Sequence, residues 1–155
     1  MATVGTLRSE RYARLVRAHG DGVQVLAQPC PGLADLIEQG HLDDDVLAAR
    51  IAELTRPIRD AEADTVVLGC THYAFVRHHI QAAMGADVQI IDTADAVARH
   101  AVTRLDSIIE RGASAALPHL QTTGDAERLR AIAAAWLPFA CTVESIGADH
   151  APRTS

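Results

Sequence analysis

A cysteine, a threonine and a histidine follow one another at Cys70, Thr71 and His72, directly after a short apolar and β-branched run. That run, Thr65–Leu68, is typical of a buried strand in a parallel sheet, and Gly69 would end it. The polar residues would then lie at the carboxyl edge of the strand, where open α/β sheets bind ligands. A thiol beside exposed N–H groups at a helix start is a candidate nucleophile or acid/base. From spacing alone, the alternative is a small buried cysteine with no chemical role.

The two residues after the cysteine could assist it. The imidazole of His72 can share or relay the proton of a nearby thiol, although a histidine that only caps a helix remains an alternative. The hydroxyl and N–H of Thr71 suit a substrate carboxylate, and the same threonine could cap the helix. The sequence therefore predicts proton transfer next to an anion-binding position.

The remaining cysteines and histidines do not indicate a metal site. Cys30 and Cys141 form no CxxC clip with Cys70, and an odd number of cysteines gives no disulfide framework. The other histidines have no metal-ligand spacing, so we expect surface positions for them: His19, His41, His78, His79, His100, His119 and His150. We predict no metal.

Composition excludes several classes of protein. The 155 residues have a net charge of −6, and all the positive side chains are dispersed arginines, so nothing resembles a nucleic-acid footprint. No apolar run approaches the ~20 residues that span a bilayer, and no signal peptide opens the chain. Apolar content of 48% with 3% aromatics predicts an aliphatic core. We expect a cytoplasmic protein with reduced thiols and no membrane or nucleic-acid partner.

Strand and helix patterns alternate along the chain, which predicts an α/β fold: a parallel sheet with helices on both faces, in three αβα layers. We predict strands over 23–26, 65–68, 88–91, 119–122 and 142–146. We predict helices over 9–16, 33–37, 43–58, 74–84, 95–111 and 125–137, with a kink or break at Pro57. The predicted inward stripes include Val46, Leu47, Ile51, Phe75, Val76, Ile80, Val97, Leu105, Ile108, Ile109 and Trp136.

The sequence motif around Cys70 resembles that of a known protein family. Residues 68–73, Leu-Gly-Cys-Thr-His-Tyr, preceded by Asp64 and the apolar run, resemble the second cysteine motif of bacterial glutamate racemases. The family usually has proline after the tyrosine, where this chain has Ala74. A second match lies near the start of the chain, where a family segment Ala-Thr-x-x-Thr-hydrophobic-x-Ser-x-x-Tyr is matched in register by Ala2, Thr3, Thr6, Leu7, Ser9 and Tyr12.

In the family that second segment follows a strand in the middle of the protein, so the chain resembles the carboxyl-terminal half of a racemase. The resemblance implies a second racemase domain over 1–112 that lacks the front of its first strand. Residues 113–118 are small and polar enough to form a linker, and the resemblance implies that a segment over 119–147 returns to the sheet of the missing first domain. We expect a disordered tail over 148–155, and association through the surface that the missing half would cover.

The resemblance also implies roles for individual residues. Cys70 corresponds to one of two catalytic cysteines that exchange the α-proton of glutamate, and the D-glutamate formed supplies peptidoglycan. His72 assists that cysteine, and Glu38 supports the histidine. Thr71, Thr3 and Thr6 would hold substrate carboxylates, with no metal or pyridoxal cofactor. The family's other cysteine has an Asn-Thr context that this chain lacks, so we expect one chain alone to be inactive.

Other interpretations of the same residues remain open. Without the resemblance, Glu38 is a solvated residue at a helix end, and Thr3 and Thr6 are turn formers. The chain could be a related aspartate or hydantoin racemase, or a non-catalytic module that binds an acidic ligand or a protein partner. A Cys-His hydrolase is a further alternative, but no oxyanion-hole motif or third orienting residue is evident.

Overall fold

The computed structural model describes residues 1–40, 42, 44–106 and 117–147. The chain divides into two compact units, Met1–Ile109 and Glu110–Ser155. The first unit contains α1 (Val4–Arg8), α2 (Glu10–His19), α3 (Leu33–Glu38), α4 (Asp45–Asp60), β1 (Thr65–Leu68), a 3₁₀ helix (Thr71–Val76), α5 (Arg77–Met84), β2 (Gln89–Asp92) and α6 (Ala94–Asp106). The second contains β3 (His119–Thr122), α7 (Ala126–Trp136) and β4 (Thr142–Ser145).

Parallel pairing organises the sheet of the first unit. β1 and β2 pair in parallel, with Leu68 opposite Asp92. On the other side of β1, the amino group of Met1 donates to the carbonyl of Val67 at 3.0 Å, and the N–H of Gly69 donates to the carbonyl of Met1 at 2.8 Å. This hydrogen-bond pattern places the first residues of the chain alongside β1 in parallel.

The sheet extends one segment further through Ala2, which forms a parallel bridge with Pro29. The N–H of Ala2 donates to Gln28, and the N–H of Cys30 donates back to Ala2. Four parallel backbone segments of the described chain therefore end at one edge, in the order β2, β1, the start of the chain and the segment around Pro29.

Helix α4 packs against both α3 and α5, and α5 contacts β2. The long helix α4 begins at Asp44, whose carboxylate accepts the N–H of Leu47. The side chains of the two strands alternate: Val66 and Ile90 are buried, whereas Val67 and Ile91 are 47% and 40% exposed. The helices and the buried face of the sheet share a core of Leu33, Ile37, Leu47, Ile51, Leu54, Ile58, Val66, Leu68, Tyr73, Val76, Ile80, Met84 and Ile90.

The predicted α/β class with parallel strands is confirmed, and strands form at 65–68 and 119–122 as predicted. The strand predicted over 23–26 is wrong. Its apolar residues are exposed, and the pairing in this region occurs at Pro29 instead. In the described structure, the start of the chain pairs with this region through hydrogen bonds of Ala2 to Gln28 and Cys30, beyond residues 23–26.

Of the kink or break predicted at Pro57, the break does not form, because α4 continues through this residue to Asp60, and the kink stays a prediction. Pro57 lies on the exposed side of the helix. Water can therefore reach the carbonyl of Glu53, which the proline leaves without a helical donor.

Several residues predicted to face inward are exposed. Phe75 is 41% exposed, because the predicted α-helix begins instead as a 3₁₀ helix at Thr71. Three residues per turn bring Tyr73 and Val76, not Phe75, to the buried side. Val46 is 65% exposed, beside the helix cap. Val97 and Leu105 on α6 are exposed as well: no other element of the described chain packs extensively on α6. Residues 108 and 109 lie outside the described residues.

The second unit is a smaller α/β element. β3 and β4 pair in parallel, and α7 packs against both strands. The carboxylate of Asp125 caps α7 by accepting the N–H groups of Glu127 and Arg128. Ala133 is buried, whereas Trp136 is only half-buried. Among all the helices described, none has both the length and the apolar character that crossing a membrane requires. The predicted tail over 148–155 lies outside the described residues, as does most of the predicted linker.

Candidate active site

The carboxyl edge of β1 positions the candidate cysteine. Cys70 follows Gly69 in extended conformation, with φ −143° and ψ 136°, and directly precedes the 3₁₀ helix. It is half-buried. Gly69 permits a close backbone approach here, because a Cβ atom at this position would lie 3.0 Å from the Cβ of Ala2 and 3.2 Å from the carbonyl oxygen of Met1. The strand and its neighbour thus fix the backbone that carries the thiol.

A cysteine, a histidine and a glutamate meet at this edge. The Sγ of Cys70 lies 3.8 Å from Nδ1 of His72, and Nε2 of His72 lies 2.8 Å from Oε1 of Glu38. A carboxylate only accepts hydrogen bonds, so Nε2 is the donor to Glu38, and in the neutral imidazole Nδ1 is then free to accept the proton of the thiol. The side chains of His72 and Glu38 are 31% and 38% exposed. The three side chains contact one another in series: a thiol, a base and a group that can orient the base.

Helix α3 brings Glu38 to the histidine across 34 residues of sequence. Glu38 is its last residue, and Leu33 and Ile37 on the same helix are buried. The helix packs against the 3₁₀ helix that carries His72. The contact between carboxylate and imidazole therefore depends on how these two short helices pack.

Tyr73 lies beneath the site and received no role from the sequence beyond its place in the motif. Its side chain is fully buried, and its phenol donates to the carbonyl oxygen of Cys30 at 3.4 Å. Burial, and then the nearby thiols of Cys30 and Cys70, raise the pKa of this phenol above its ordinary value. Tyr73 is thus a neutral donor that joins the cysteine turn to the neighbouring segment.

The three threonines lie at the same edge but outside the cysteine–histidine–glutamate contact. Thr71 is exposed at the start of the 3₁₀ helix. The hydroxyls of Thr3 and Thr6 lie 2.8 Å apart, and the N–H of Thr6 donates to Oγ1 of Thr3, which caps α1. Because the start of the chain runs parallel to β1, Thr3 and Cys70 leave the sheet in the same direction.

The other two cysteines differ from Cys70. Cys30 is 2% exposed, and burial raises the pKa of its thiol. Cys141 is half-buried and belongs to the second unit. Within the ranges that the structure describes, no three histidine, cysteine or acidic side chains are grouped so that they could hold a metal ion.

An open depression of about 650 Å³ lies on α5 and the turn after it, lined by Arg77, His78, Gln81, Ala82, Gly85 and Ala86. None of these residues belongs to the cysteine site. The chemistry-bearing residues meet at the carboxyl edge of β1, and we take that edge as the candidate site.

Parallel strands with a thiol, an imidazole and a carboxylate at their carboxyl edge define an α/β protein with a candidate site for thiol-based acid/base chemistry. Residues 1–101 match the model of the family described as Asp/Glu/Hydantoin racemase. The match covers well over half of the chain, which therefore belongs to this family.

Curated relatives and solved structures agree with this family. A glutamate racemase of Ralstonia pickettii is 39% identical over 153 residues, or 98% of this chain and 54% of the relative. One from Pseudomonas putida is 40% identical over 134 residues, or 85% of this chain and 50% of the relative. The chain spans about half the length of these relatives.

Among solved structures, a glutamate racemase isoform from Bacillus anthracis aligns with a TM-score of 0.81 and 26% identity, over 95% of this chain and 56% of the other. The Escherichia coli glutamate racemase, in complex with L-glutamate and the activator UDP-MurNAc-ala, aligns with a TM-score of 0.74 over 94% of this chain and 56% of the other. Its 22% identity supports the fold alone.

Proposed function

We propose that this chain supplies one half of a glutamate racemase, which interconverts L- and D-glutamate by proton transfer to and from a cysteine, without a cofactor. The observation that carries the proposal is the contact of Cys70, His72 and Glu38 at a strand edge, in a chain of the Asp/Glu/Hydantoin racemase family. The D-glutamate formed would feed peptidoglycan synthesis in the cytoplasm.

The proposed reaction is a two-base proton exchange. The thiolate of one cysteine removes the α-proton from one face of the substrate, which leaves a carbanion, and the thiol of a second cysteine returns a proton to the opposite face. Cys70 serves one face. His72 accepts the thiol proton of Cys70 when the thiolate forms, and Glu38 keeps the imidazole in the tautomer whose Nδ1 faces the sulfur.

We assign the substrate carboxylates to the threonines at the same edge. Thr71 offers a hydroxyl beside the cysteine, and Thr3 and Thr6 offer a hydroxyl pair at the end of the neighbouring segment. Hydroxyl groups can donate hydrogen bonds to a carboxylate without a fixed positive charge.

The opposite face of the substrate requires a thiol from elsewhere. Cys30 is buried, and neither Cys30 nor Cys141 has the Asn-Thr context of the family's other catalytic cysteine. We therefore propose that residues 1–112 form the second domain of the racemase and that residues 119–147, after a linker over 113–118, complete the first. On this proposal the second catalytic cysteine lies in a first-domain polypeptide, and the isolated chain is inactive.

Exposed apolar side chains mark where a first-domain polypeptide would pack. Val67 and Ile91 pair directly across β1 and β2 and are exposed together. On the next helix, α6, Val97, Val102 and Leu105 are 64%, 55% and 49% exposed. Apolar side chains grouped in this way favour a protein interface.

The test is reconstitution. The chain is mixed with the first-domain polypeptide of the R. pickettii relative, and D-glutamate formation from L-glutamate is measured together with deuterium incorporation at Cα. We expect turnover from the mixture and none from the chain alone. Cys70→Ser should lower turnover by roughly 10²–10⁴-fold, the usual contribution of a general acid/base. Cys141→Ser, which removes a thiol from the second unit, is the matched control.

Turnover that survives Cys70→Ser would refute the proposal. A mixture that binds glutamate without any turnover would instead favour a non-catalytic binding module. The supporting observation is that, of the two cysteines in the described part of the first unit, only Cys70 is partly exposed. Repeating the assay with aspartate and a hydantoin separates glutamate racemase from the related activities of the family.

A further inference from the structure

Two consecutive residues of the 3₁₀ helix hydrogen-bond at the two sides of α3, one to its last residue and one to the backbone carbonyl that precedes its first turn. His72 contacts Glu38, the last residue of α3. Tyr73 donates its phenol proton to the carbonyl oxygen of Cys30, and the same oxygen lies 3.4 Å from the N–H of Leu33, the first residue of α3. The end of α3 thus contacts His72 directly, whereas its start is joined to Tyr73 through the shared carbonyl of Cys30.

The carbonyl of Cys30 is a fixed point for this contact. Cys30 is 2% exposed, and its own N–H donates to the carbonyl of Ala2 at 2.9 Å within the sheet. A carbonyl oxygen has two lone pairs, so it can accept from both Tyr73 and Leu33. The N–H of Tyr73 donates to the carbonyl of Cys70 at 3.1 Å. One residue therefore connects the cysteine turn, the sheet and the start of α3.

We propose that Tyr73 is a positioning residue, whose hydroxyl fixes the start of α3 and thereby holds the Glu38 carboxylate against His72. Because α3 rises only about 1.5 Å per residue, a displacement at its first turn reaches Glu38 less than two turns later. Burial leaves the phenol no partner in water, and its partners in the protein, the carbonyl and the thiol, both belong to Cys30. The catalytic importance of the histidine–glutamate contact rests on the proposed function, whereas its dependence on Tyr73 concerns this chain alone.

The experiment records the imidazole ¹³C and ¹⁵N chemical shifts of His72 in the full chain, at fixed pH and without substrate. Tyr73→Phe, Glu38→Gln and the double variant are compared in a double-mutant cycle. We expect Tyr73→Phe to move the His72 signals in the same direction as Glu38→Gln, and to add nothing in the double variant. Thr55→Val is the matched control: it removes another fully buried hydroxyl, on α4, and should leave the His72 signals unchanged.

The proposal is overturned if Tyr73→Phe leaves the His72 signals in place, or moves them equally with and without Glu38. If Tyr73→Phe does not fold, 4-methylphenylalanine at this position fills the volume of the hydroxyl and gives the same comparison. 4-Aminophenylalanine, which keeps a donor, should restore the wild-type signals. These signals do not depend on racemisation, so an inactive reconstituted enzyme would refute the proposed function and leave this inference standing.

Discussion

Replacing Gly69 by alanine tests whether the close approach of two backbone segments holds the cysteine turn. The added Cβ would lie 3.0 Å from the Cβ of Ala2 and 3.2 Å from the carbonyl oxygen of Met1. Both distances are shorter than ordinary van der Waals contacts, so the segments must separate by a few tenths of an ångström. Ala2 cannot withdraw freely, because it is 5% exposed and hydrogen-bonds through both its N–H and its carbonyl.

The expected cost follows from two opposing terms. Overpacking of this kind costs about 1–3 kcal/mol. Alanine also restricts the unfolded chain, which raises the free energy of unfolding by about 0.4–1 kcal/mol. This gain applies because the backbone at Gly69 is not in the left-handed region. We therefore expect Gly69→Ala to lower the free energy of unfolding by about 1–2 kcal/mol.

The assay is urea unfolding followed by the backbone amide signals of Val66 and Leu68, which report on β1 itself. The matched control is Gly5→Ala, whose Cβ would have no atom within 4 Å. Because Gly5 lies in α1, this control should gain up to about 1 kcal/mol. Equal stability changes for the two variants would refute the argument that Gly69 is needed for space.

Two further predictions concern the core around the site. Burial raises the pKa of Cys30 and of Tyr73 above their ordinary values of 9.0 and 10.0, so the unfolded chain loses these protons first as the pH rises. The raised pKa values therefore stabilise the folded chain fully at pH values below those ordinary values. Above them, the free energy of unfolding falls by up to ~1.4 kcal/mol per pH unit for each group. The urea midpoint of the unmodified chain should therefore fall between pH 8 and 10.5. If the midpoint of Cys30→Ser fell above pH 9 with the same slope as that of the unmodified chain, the role of Cys30 would be refuted. Leu47→Ala should cost about 2–5 kcal/mol, because Leu47 is fully buried, whereas Val46→Ala, at an exposed neighbour, should cost under about 0.5 kcal/mol. If urea unfolding showed that Leu47→Ala and Val46→Ala lower the free energy of unfolding equally, the core could not lie at Leu47.

Local sequence patterns correctly predicted the strands and helix starts that depend only on their own residues. The run at 65–68 is a strand, and the cap residues Ser9 and Asp44 each accept the backbone N–H three positions on. The strand predicted over 23–26 failed for a different reason. A strand needs a paired neighbour, and the segment that supplies it comes from the start of the chain and meets Pro29. β-Propensity in one segment does not reveal where its partner lies.

Which residues after Cys70 face inward depends on the number of residues per helical turn, and the sequence alone did not determine that number. A period of 3.6 residues favoured Phe75, whereas the observed 3₁₀ turn buries Tyr73 and Val76. For the apolar stripe of α6, the residues followed the helical pattern as predicted, but no other described element packs extensively on that stripe. A stripe predicts which residues lie on one side of a helix, and only tertiary packing decides whether that side is covered.

The sequence by itself determined which chemical groups follow β1: a thiol and an imidazole two residues apart, after a glycine, in a pattern shared with a family of racemases. It did not determine that Glu38 lies 2.8 Å from His72, or that Tyr73 and Leu33 use the same carbonyl of Cys30. Those contacts join residues 34 and 43 positions apart. They exist because a parallel sheet places the ends of separate segments at one edge, and that placement follows from packing and strand order rather than from any local stretch of chain.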